Sequence, residues 1–319
     1  MALRDTLRII VLRFVAQRLV TPFTPYVLAD AFLASEVHKY GLRGLNPRAV
    51  DLAQSDLSTV SANPLLFVQV NQLDDFCRDV LPKIVGPFTL ITGKWHLPAL
   101  QRSDYVTTIL GSRHLNRWYS QNQVFDDLPI LPFPYGVKLS SAPHVYWRML
   151  LQRVLGLGRS GVFVPHVAAH EHLDGVALEA RRQLEGVMGP RLKLTTYLNK
   201  ILRHKFVISP PGDRMDTYRH WESIALGAIP VSNLPRVFSR LFGDALVSEE
   251  RFDLFGGLPA HPRGGGDVRA CHSGVLETQA EDSVKTALAV TCTRSERRLP
   301  APVHQLLAVS TVGNGHSLV

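Results

Sequence analysis

Short apolar runs, each closed by turn formers, recur along roughly the first three quarters of this sequence and limit its fold more than any other feature. Leu65-Leu66-Phe67-Val68-Gln69-Val70 is one such run. Phe88-Thr89-Leu90-Ile91-Thr92, opened by Gly86-Pro87 and closed by Gly93, is a second. Val106-Thr107-Thr108-Ile109-Leu110 reads as a weaker third, and Ile130-Leu131-Pro132-Phe133-Pro134 as a fourth, ending at Gly136. Runs of this length between Gly and Pro are the pattern of buried strands. Between the first two, Leu73 to Ile84 carries acids early and Lys83 late, which suits a short helix. Strands alternating with helices predict an α/β chain whose parallel sheet is covered on both faces.

A second series follows. Ala142 to Leu157 reads as a helix joining two lobes, with Gly156, Gly158 and Gly161 punctuating its end. Gly161-Val162-Phe163-Val164 opens the next strand. Helices are expected over 176–187 and ending over 198–203, a strand at Phe206-Val207-Ile208, a helix over 217–226, and a strand from Ile229. These readings divide the chain into an N-terminal lobe, 1–150, a second lobe, 151–240, and a weakly ordered or divergent tail, 241–319. From Gly256 to Val319 there are 64 residues without Phe, Trp or Tyr, which is poor core material.

Bulk properties set the partners. Hydrophobic residues make up 45% and charged residues 19%, a globular composition able to bury a core. The formal charge of +8 attracts phosphates, whether on nucleic acid, an anionic membrane or a nucleotide diphosphate. Nucleic acid is the least favoured of these, because Arg181-Arg182 and Arg297-Arg298 are short and the other cations are scattered. Cys77, Cys271 and Cys292 match no metal spacing and form no disulfide framework, so reduced structural thiols are expected. No stretch reads as a membrane span or a clear signal peptide. Arg4, Arg8, Arg13 and Arg18 within the apolar N-terminus allow a solvated basic helix, a targeting sequence, or peripheral contact with a membrane.

The densest chemistry lies between Lys205 and Val231. Its order is strand, tight polar loop, helix, turn, strand. In an open parallel sheet, ligands sit beyond the carboxyl ends of strands. Here the loop Ser209–Asp216 leaves such an end and enters a helix N-terminus, which offers N–H groups and partial positive charge to a phosphate. Gly212 permits close backbone approach. Arg214 and Arg219 add guanidinium forks that match phosphate oxygens. Asp216 is either part of the loop site or the helix cap. Arg219 and Glu222 are three apart and share a helix face, either as a surface ion pair or with the carboxylate accepting from two ribose hydroxyls.

This ordered combination resembles the donor-binding motif of exostosin-type glycosyltransferases. The match runs from Phe206 to Val231, with Pro211, Gly212, Asp216, Arg219, Trp221, Glu222, Gly227, Ile229 and Pro230 at the characteristic places. Leu90-Ile91-Thr92, Trp118-Tyr119-Ser120-Gln121-Asn122 and Leu131-Pro132-Phe133-Pro134-Tyr135-Gly136-Val137 are similar to the family's acceptor-side strands and loops, so the likeness covers about residues 65–235. It implies a GT-B-like fold of two Rossmann-like lobes with parallel sheets. It also implies transfer of a sugar from a nucleotide-sugar donor to a glycan, protein or small-molecule acceptor. The nucleotide-sugar is then a substrate, and no cofactor or bound metal is implied. Donor-side residues would be Gly212, Asp213, Arg214, Asp216, Arg219 and Glu222. Family analogy places such proteins in the Golgi or the cytoplasm.

Two departures matter. Many GT-B enzymes carry a second glutamate eight residues before the ribose-binding one, where this chain has Arg214. The family's further strands and helices are also not legible after Arg236, which predicts an incomplete second lobe. A catalytically inactive binding module is the alternative reading.

Other constellations are weaker. His166, His170 and His172 follow the strand at 161–164. His166 is a candidate diphosphate contact, with a plain surface loop or a metal site as alternatives. Lys94 and His96, in the loop after Gly93, are acceptor-side candidates for contact with sugar or phosphate, or else solvated loop residues. The pairs Asp74-Asp75 and Asp126-Asp127 lack the Asp-x-Asp spacing of metal-dependent sugar transferases, and no catalytic residue is singled out.

Overall fold

A computed structural model describes residues 11, 14–15, 19–55, 62–93, 100–121, 123, 125–167, 181–184, 187–212, 215–242 and 245–248. The chain divides into two compact units, Met1–Tyr146 and Trp147–Val319. Both are α/β with parallel sheets, in the manner of Rossmann-like folds.

In the first unit, α1 (Thr24–Leu28) leads into β1 (Ala31–Leu33), α2 (Ser35–Lys39) and β2 (Val50–Asp51). Then come β3 (Leu65–Gln69), α3 (Leu73–Asp75), β4 (Phe88–Gly93), α4 (Asp104–Leu110), β5 (Leu115–Ser120) and β6 (Ile130–Pro132). The sheet order is β2-β1-β3-β4-β5-β6, and every pairing is parallel. Side chains alternate across the sheet. Ala31, Leu33, Leu66 and Val68 join one core with Phe88, Leu90, Trp118 and Ile130. Phe32 and Phe67 face the other way, onto Tyr26, Val37, Leu45 and Ala49. A two-residue period with both faces apolar is what a covered parallel sheet requires.

Three expectations for this unit change. Val106–Leu110 is not a strand but the body of α4. Val106 and Ile109 are its buried residues, three apart as one helix face demands, while Thr107 and Thr108 are exposed. The β-branched composition yields to that packing. The strand instead lies at β5, where Trp118 is buried and donates its indole N–H to Thr92 Oγ1 at 3.0 Å. Secondly, the segment over 73–84 is helical but irregular. After α3 come a π turn, Phe76–Val80, and a 3₁₀ turn, Leu81–Lys83, that contains Pro82. Proline removes a donor and opposes a regular α-helix there. Thirdly, β1 and β2 add two strands ahead of the first one legible in sequence.

Helix α5 (Ala142–Leu155) carries the chain from the first unit into the second. The second unit contains β7 (Val162–Phe163), α6 (Leu194–Arg203), β8 (Phe206–Ile208), α7 (Tyr218–Ala225), β9 (Ile229–Ser232), α8 (Ser239–Phe242) and β10 (Val247–Ser248). Its sheet is parallel, in the order β10-β9-β8-β7. Leu184, Phe206, Ile208 and Val231 form its core, and all three residues of β8 are buried. Of the helix expected over 176–187, residues 181–184 and 187 are described; 181–183 are helical, whereas 184 and 187 are turns.

The expected halt near Arg236 is also corrected. A 3₁₀ turn, Arg236–Phe238, runs into α8, and β10 then pairs with β9. Phe238, Leu241 and Phe242 are buried, with spacings that place them on one helical face. Phe242 stacks on Trp221, ring centroids 4.8 Å apart. The remainder of the expected tail, 249–319, lies outside the described residues.

Candidate functional site

Strand β8 delivers the loop that sequence singles out. Ser209 donates its N–H to the Val231 carbonyl, which fixes the loop's start against β9. Pro210, Pro211 and Gly212 are buried. The Pro211 carbonyl accepts from an Arg181 Nη at 3.4 Å, so a buried guanidinium lies against the loop. Asp213 and Arg214 lie outside the described residues. His166 is exposed and follows β7, the hydrogen-bonded neighbour of β8. Its loop and the Gly212 loop therefore leave the same edge of the sheet.

Asp216 is fully buried, and its Oδ2 accepts from the Trp221 indole N–H at 2.9 Å. It does not cap α7. Thr217 occupies the N-cap with extended backbone, and His220 closes a capping box. The Thr217 N–H donates to His220 Nδ1 at 3.0 Å. Nδ1 is therefore the acceptor, and the ring proton on Nε2 is donated to Ser232 Oγ at 2.9 Å. His220 is fully buried; that burial first, and then the Arg219 charge, lower its pKa to about 3. It serves as a neutral pin between α7 and β9.

Arg219 and Glu222 come together with a third residue. Glu222 is 5% exposed, and its Oε2 accepts from the Tyr197 hydroxyl of α6 at 3.1 Å. Tyr197 has its pKa raised well above the ordinary phenol value, first by burial and then by the Glu222 charge, while the Arg219 charge opposes the rise. A carboxylate this deep needs hydrogen-bonding and charged partners. Tyr197 supplies the hydrogen bond, and the Arg219 charge acts on the same hydroxyl, one turn into the helix that follows the Gly212 loop. Arg219 Nε is buried without a hydrogen-bond partner among the described residues. Gly212, Asp216, Arg219 and Glu222 thus lie along one short strand–loop–helix segment of the second unit.

The far end of α7 is built as strictly. The Gly227 N–H donates to the Ile224 carbonyl and the Ala228 N–H to that of Ser223, the two bonds of a Schellman turn. Gly227 has φ +79°, and a Cβ there would lie 2.3 Å from the Arg159 guanidinium, which donates to the Leu226 carbonyl. The positive φ is what favours glycine here, since the end of the flexible Arg159 side chain can shift away from a Cβ.

In the first unit, strand order reverses between β1 and β3, the point at which open α/β sheets take ligands. Polar groups gather there that sequence did not flag. Gln69 Oε1 accepts from the Glu36 N–H at 3.3 Å and Gln72 Oε1 from the Ser35 N–H at 2.8 Å. Glu36 Oε2 and Gln69 Nε2 are buried without hydrogen-bond partners among the described residues. Nearby on the sequence, His38 Nε2 meets Asp51 Oδ2 at 2.7 Å, at the end of β2. The signal available in sequence was weak: a lone Gln at the end of a recognisable strand, and a lone Glu and His beside strands too short to recognise. Lys94 and His96 lie outside the described residues; Gly93, just before them, ends β4.

Cys77 is half-buried, its thiol 3.8 Å from the Tyr105 carbonyl. Burial and then the Asp74 charge push its pKa up to about 11, which leaves it a poor nucleophile. The acidic pairs are surface features, with Asp75 bonded to Arg78 and Asp127 to Arg102. Among the described residues no group of His, Cys, Asp and Glu could hold a metal ion, and no helix is long and apolar enough to cross a membrane. No protein-family model matches the sequence, and none of the curated proteins matches it.

Proposed function

We propose that this protein is an exostosin-like, GT-B-like glycosyltransferase that moves a sugar from a nucleotide-sugar donor to a glycan, protein or small-molecule acceptor. The observation that carries the reading is the buried Glu222 carboxylate, held by Tyr197 one turn into the helix that follows the Gly212 loop. A fixed carboxylate is a ready acceptor for the two ribose hydroxyls. The Gly212 backbone, the positive end of α7 and the Arg219 guanidinium supply what a diphosphate needs. They would also stabilise the diphosphate as it leaves, without a metal. Asp213 and Arg214, in the same loop, and His166, at the same sheet edge, remain donor-side candidates. The acceptor is assigned to the first unit. There, Gln69 Nε2 can donate to a hydroxyl and Glu36 Oε2 can accept from one, and Lys94 and His96 follow the adjacent strand.

A thermal-shift series with uridine and guanosine diphosphates and their sugars tests the reading. A ligand at about 100 times its Kd adds about 2.7 kcal/mol of stability. Glu222→Gln keeps an oxygen for the Tyr197 hydroxyl but loses the charge offered to ribose. The variant is expected to fold and to lose most of the stabilisation. A wild-type protein indifferent to every nucleotide, or a Glu222→Gln variant stabilised as much as wild type, rejects the donor site. Nucleotide binding without release of diphosphate from any donor and acceptor pair supports the inactive binding module instead.

A further inference from the structure

Three neighbouring strands of the first sheet end at positions that share one face. β3 ends at Gln69 and β4 at Gly93, and these two are register partners. Gln121 directly follows β5 and donates its N–H to the Thr92 carbonyl, which sets it beside Gly93. Alternation along each strand decides the face. Phe67, two residues before Gln69, packs on the Tyr26 side of the sheet. Leu90 and Trp118, three residues before Gly93 and Gln121, pack on the other side. Gln69, Gly93 and Gln121 therefore all belong to the Tyr26 side.

Both glutamines are buried, at 2% and 0% exposure, and each amide has its orientation fixed by its partners. Gln69 Oε1 accepts from the Glu36 N–H, so Nε2 is the other end. Gln121 Nε2 donates to the Pro22 and Pro134 carbonyls at 3.4 and 3.3 Å, a place an amide oxygen could not take. Gln121 Oε1 leans over Gly93, where a Cβ would strike it, and so reaches from β5 toward the Gln69 side. Gln69 Nε2, Gln121 Oε1 and Glu36 Oε2 are all buried without hydrogen-bond partners among the described residues. Buried polar groups are ordinarily paired, so a group that pairs these three is favoured here.

The three atoms select the chemistry of that group. One donates and two accept, and a hydroxyl answers both needs. An ammonium cannot accept from Gln69 Nε2. A phosphate dianion or a carboxylate cannot donate to Gln121 Oε1, and it meets the Glu36 carboxylate as a like charge. We propose that Gln69, Gln121 and Glu36, around Gly93, form a binding site for an uncharged, hydroxyl-rich ligand of the saccharide class. The site stands on the first unit alone. Taking its ligand as the sugar acceptor rests on the transferase reading, and narrows that acceptor to a neutral glycan.

Saturation-transfer difference NMR on the full chain, without nucleotide, tests the site. The probes are the methyl glycosides of glucose, galactose, mannose and xylose, with glucuronate and glucose 6-phosphate as charged counterparts. Wild type is expected to transfer saturation to at least one neutral glycoside, and less to either anion. Gln121→Met keeps the side-chain length but removes both polar atoms, and is expected to weaken binding of that glycoside about tenfold. Gly93→Ala displaces only the flexible end of Gln121 and is expected to weaken binding about threefold. It covers a Gln121→Met variant that does not fold. Wild type that transfers to no neutral glycoside overturns the proposal and leaves the three atoms to an internal water. Equal transfer to the anions overturns it too, as do folded variants that bind like wild type. No nucleotide is present, so failure of the donor site leaves each of these results unchanged.

Discussion

Acidification is expected to destabilise the second unit through His220. The ring is neutral in the folded protein, with Nδ1 accepting from Thr217 and Nε2–H donating to Ser232. Its folded pKa is about 3, against an ordinary 6.5 in the unfolded chain. A lowered histidine pKa means the unfolded chain binds a proton that the folded protein refuses. The stability is therefore fully present above pH 6.5 and is lost as pH falls toward about 3. The slope is about 1.4 kcal/mol per pH unit, so moving from about pH 7.5 to about pH 5 costs on the order of 2 kcal/mol. His220→Gln isolates this effect, because glutamine is the ordinary partner at this position of a capping box and does not titrate. Urea unfolding of both proteins at the two pH values gives a double difference in which every other titrating group cancels. The wild type is expected to lose about 2 kcal/mol more than the variant, roughly 1 M in urea midpoint. Equal losses in the two proteins would refute the argument that burial holds the ring neutral.

Tyr197→Phe removes the hydroxyl that donates to Glu222 and is expected to destabilise the second unit by about 1–3 kcal/mol, measured by urea unfolding at neutral pH. Gly227→Ala forces a β-carbon into positive φ and against Arg159; a loss of about 1–3 kcal/mol is expected by the same assay, and an unchanged midpoint contradicts the helix-end geometry. Phe242→Ala opens the stack on Trp221 and is expected to cost about 3–5 kcal/mol with a change in tryptophan emission, whereas a silent substitution would detach α8 from the core.

Much of the fold was readable because its strands are short, apolar and punctuated. β3, β4, β6, β8 and β9 each end at Gly, Pro or a polar loop, and each lies where the pattern puts it. β1 and β2 were not readable, since three and two residues give no period to recognise. The segment over 106–110 misled because its β-branched residues favour strand locally, while its buried positions obey a helix. Past Arg236, the spacing of Phe238, Leu241 and Phe242 was visible but was outweighed by the aromatic-free tail beyond it. At the site, the order of Gly212, Arg219, Glu222 and Gly227 was legible because it is local. Tyr197, Arg181 and Ser232 were not, because they reach the loop and helix from other elements, and only folding reveals which side chain meets which.

That non-local support changes what a mutation at the site can mean. Glu222 does not wait on the surface for a ligand; it is buried and bonded to Tyr197 inside the second unit, while Arg219 is half-buried with its Nε lacking a hydrogen-bond partner among the described residues. Truncating Glu222 to Ala leaves the buried Tyr197 hydroxyl without its acceptor, so the loss would combine folding and binding. A drop in nucleotide binding by that variant is then no proof of a ribose contact. Glu222→Gln separates the two, since the amide oxygen still accepts from Tyr197 while the negative charge is gone. If the glutamine variant melts near the wild-type temperature yet fails to respond to nucleotide, the carboxylate acts on a ligand. If it loses melting temperature and nucleotide response in proportion, Glu222 belongs to the architecture of α6 and α7, and the ligand contact must be sought in the Gly212 loop.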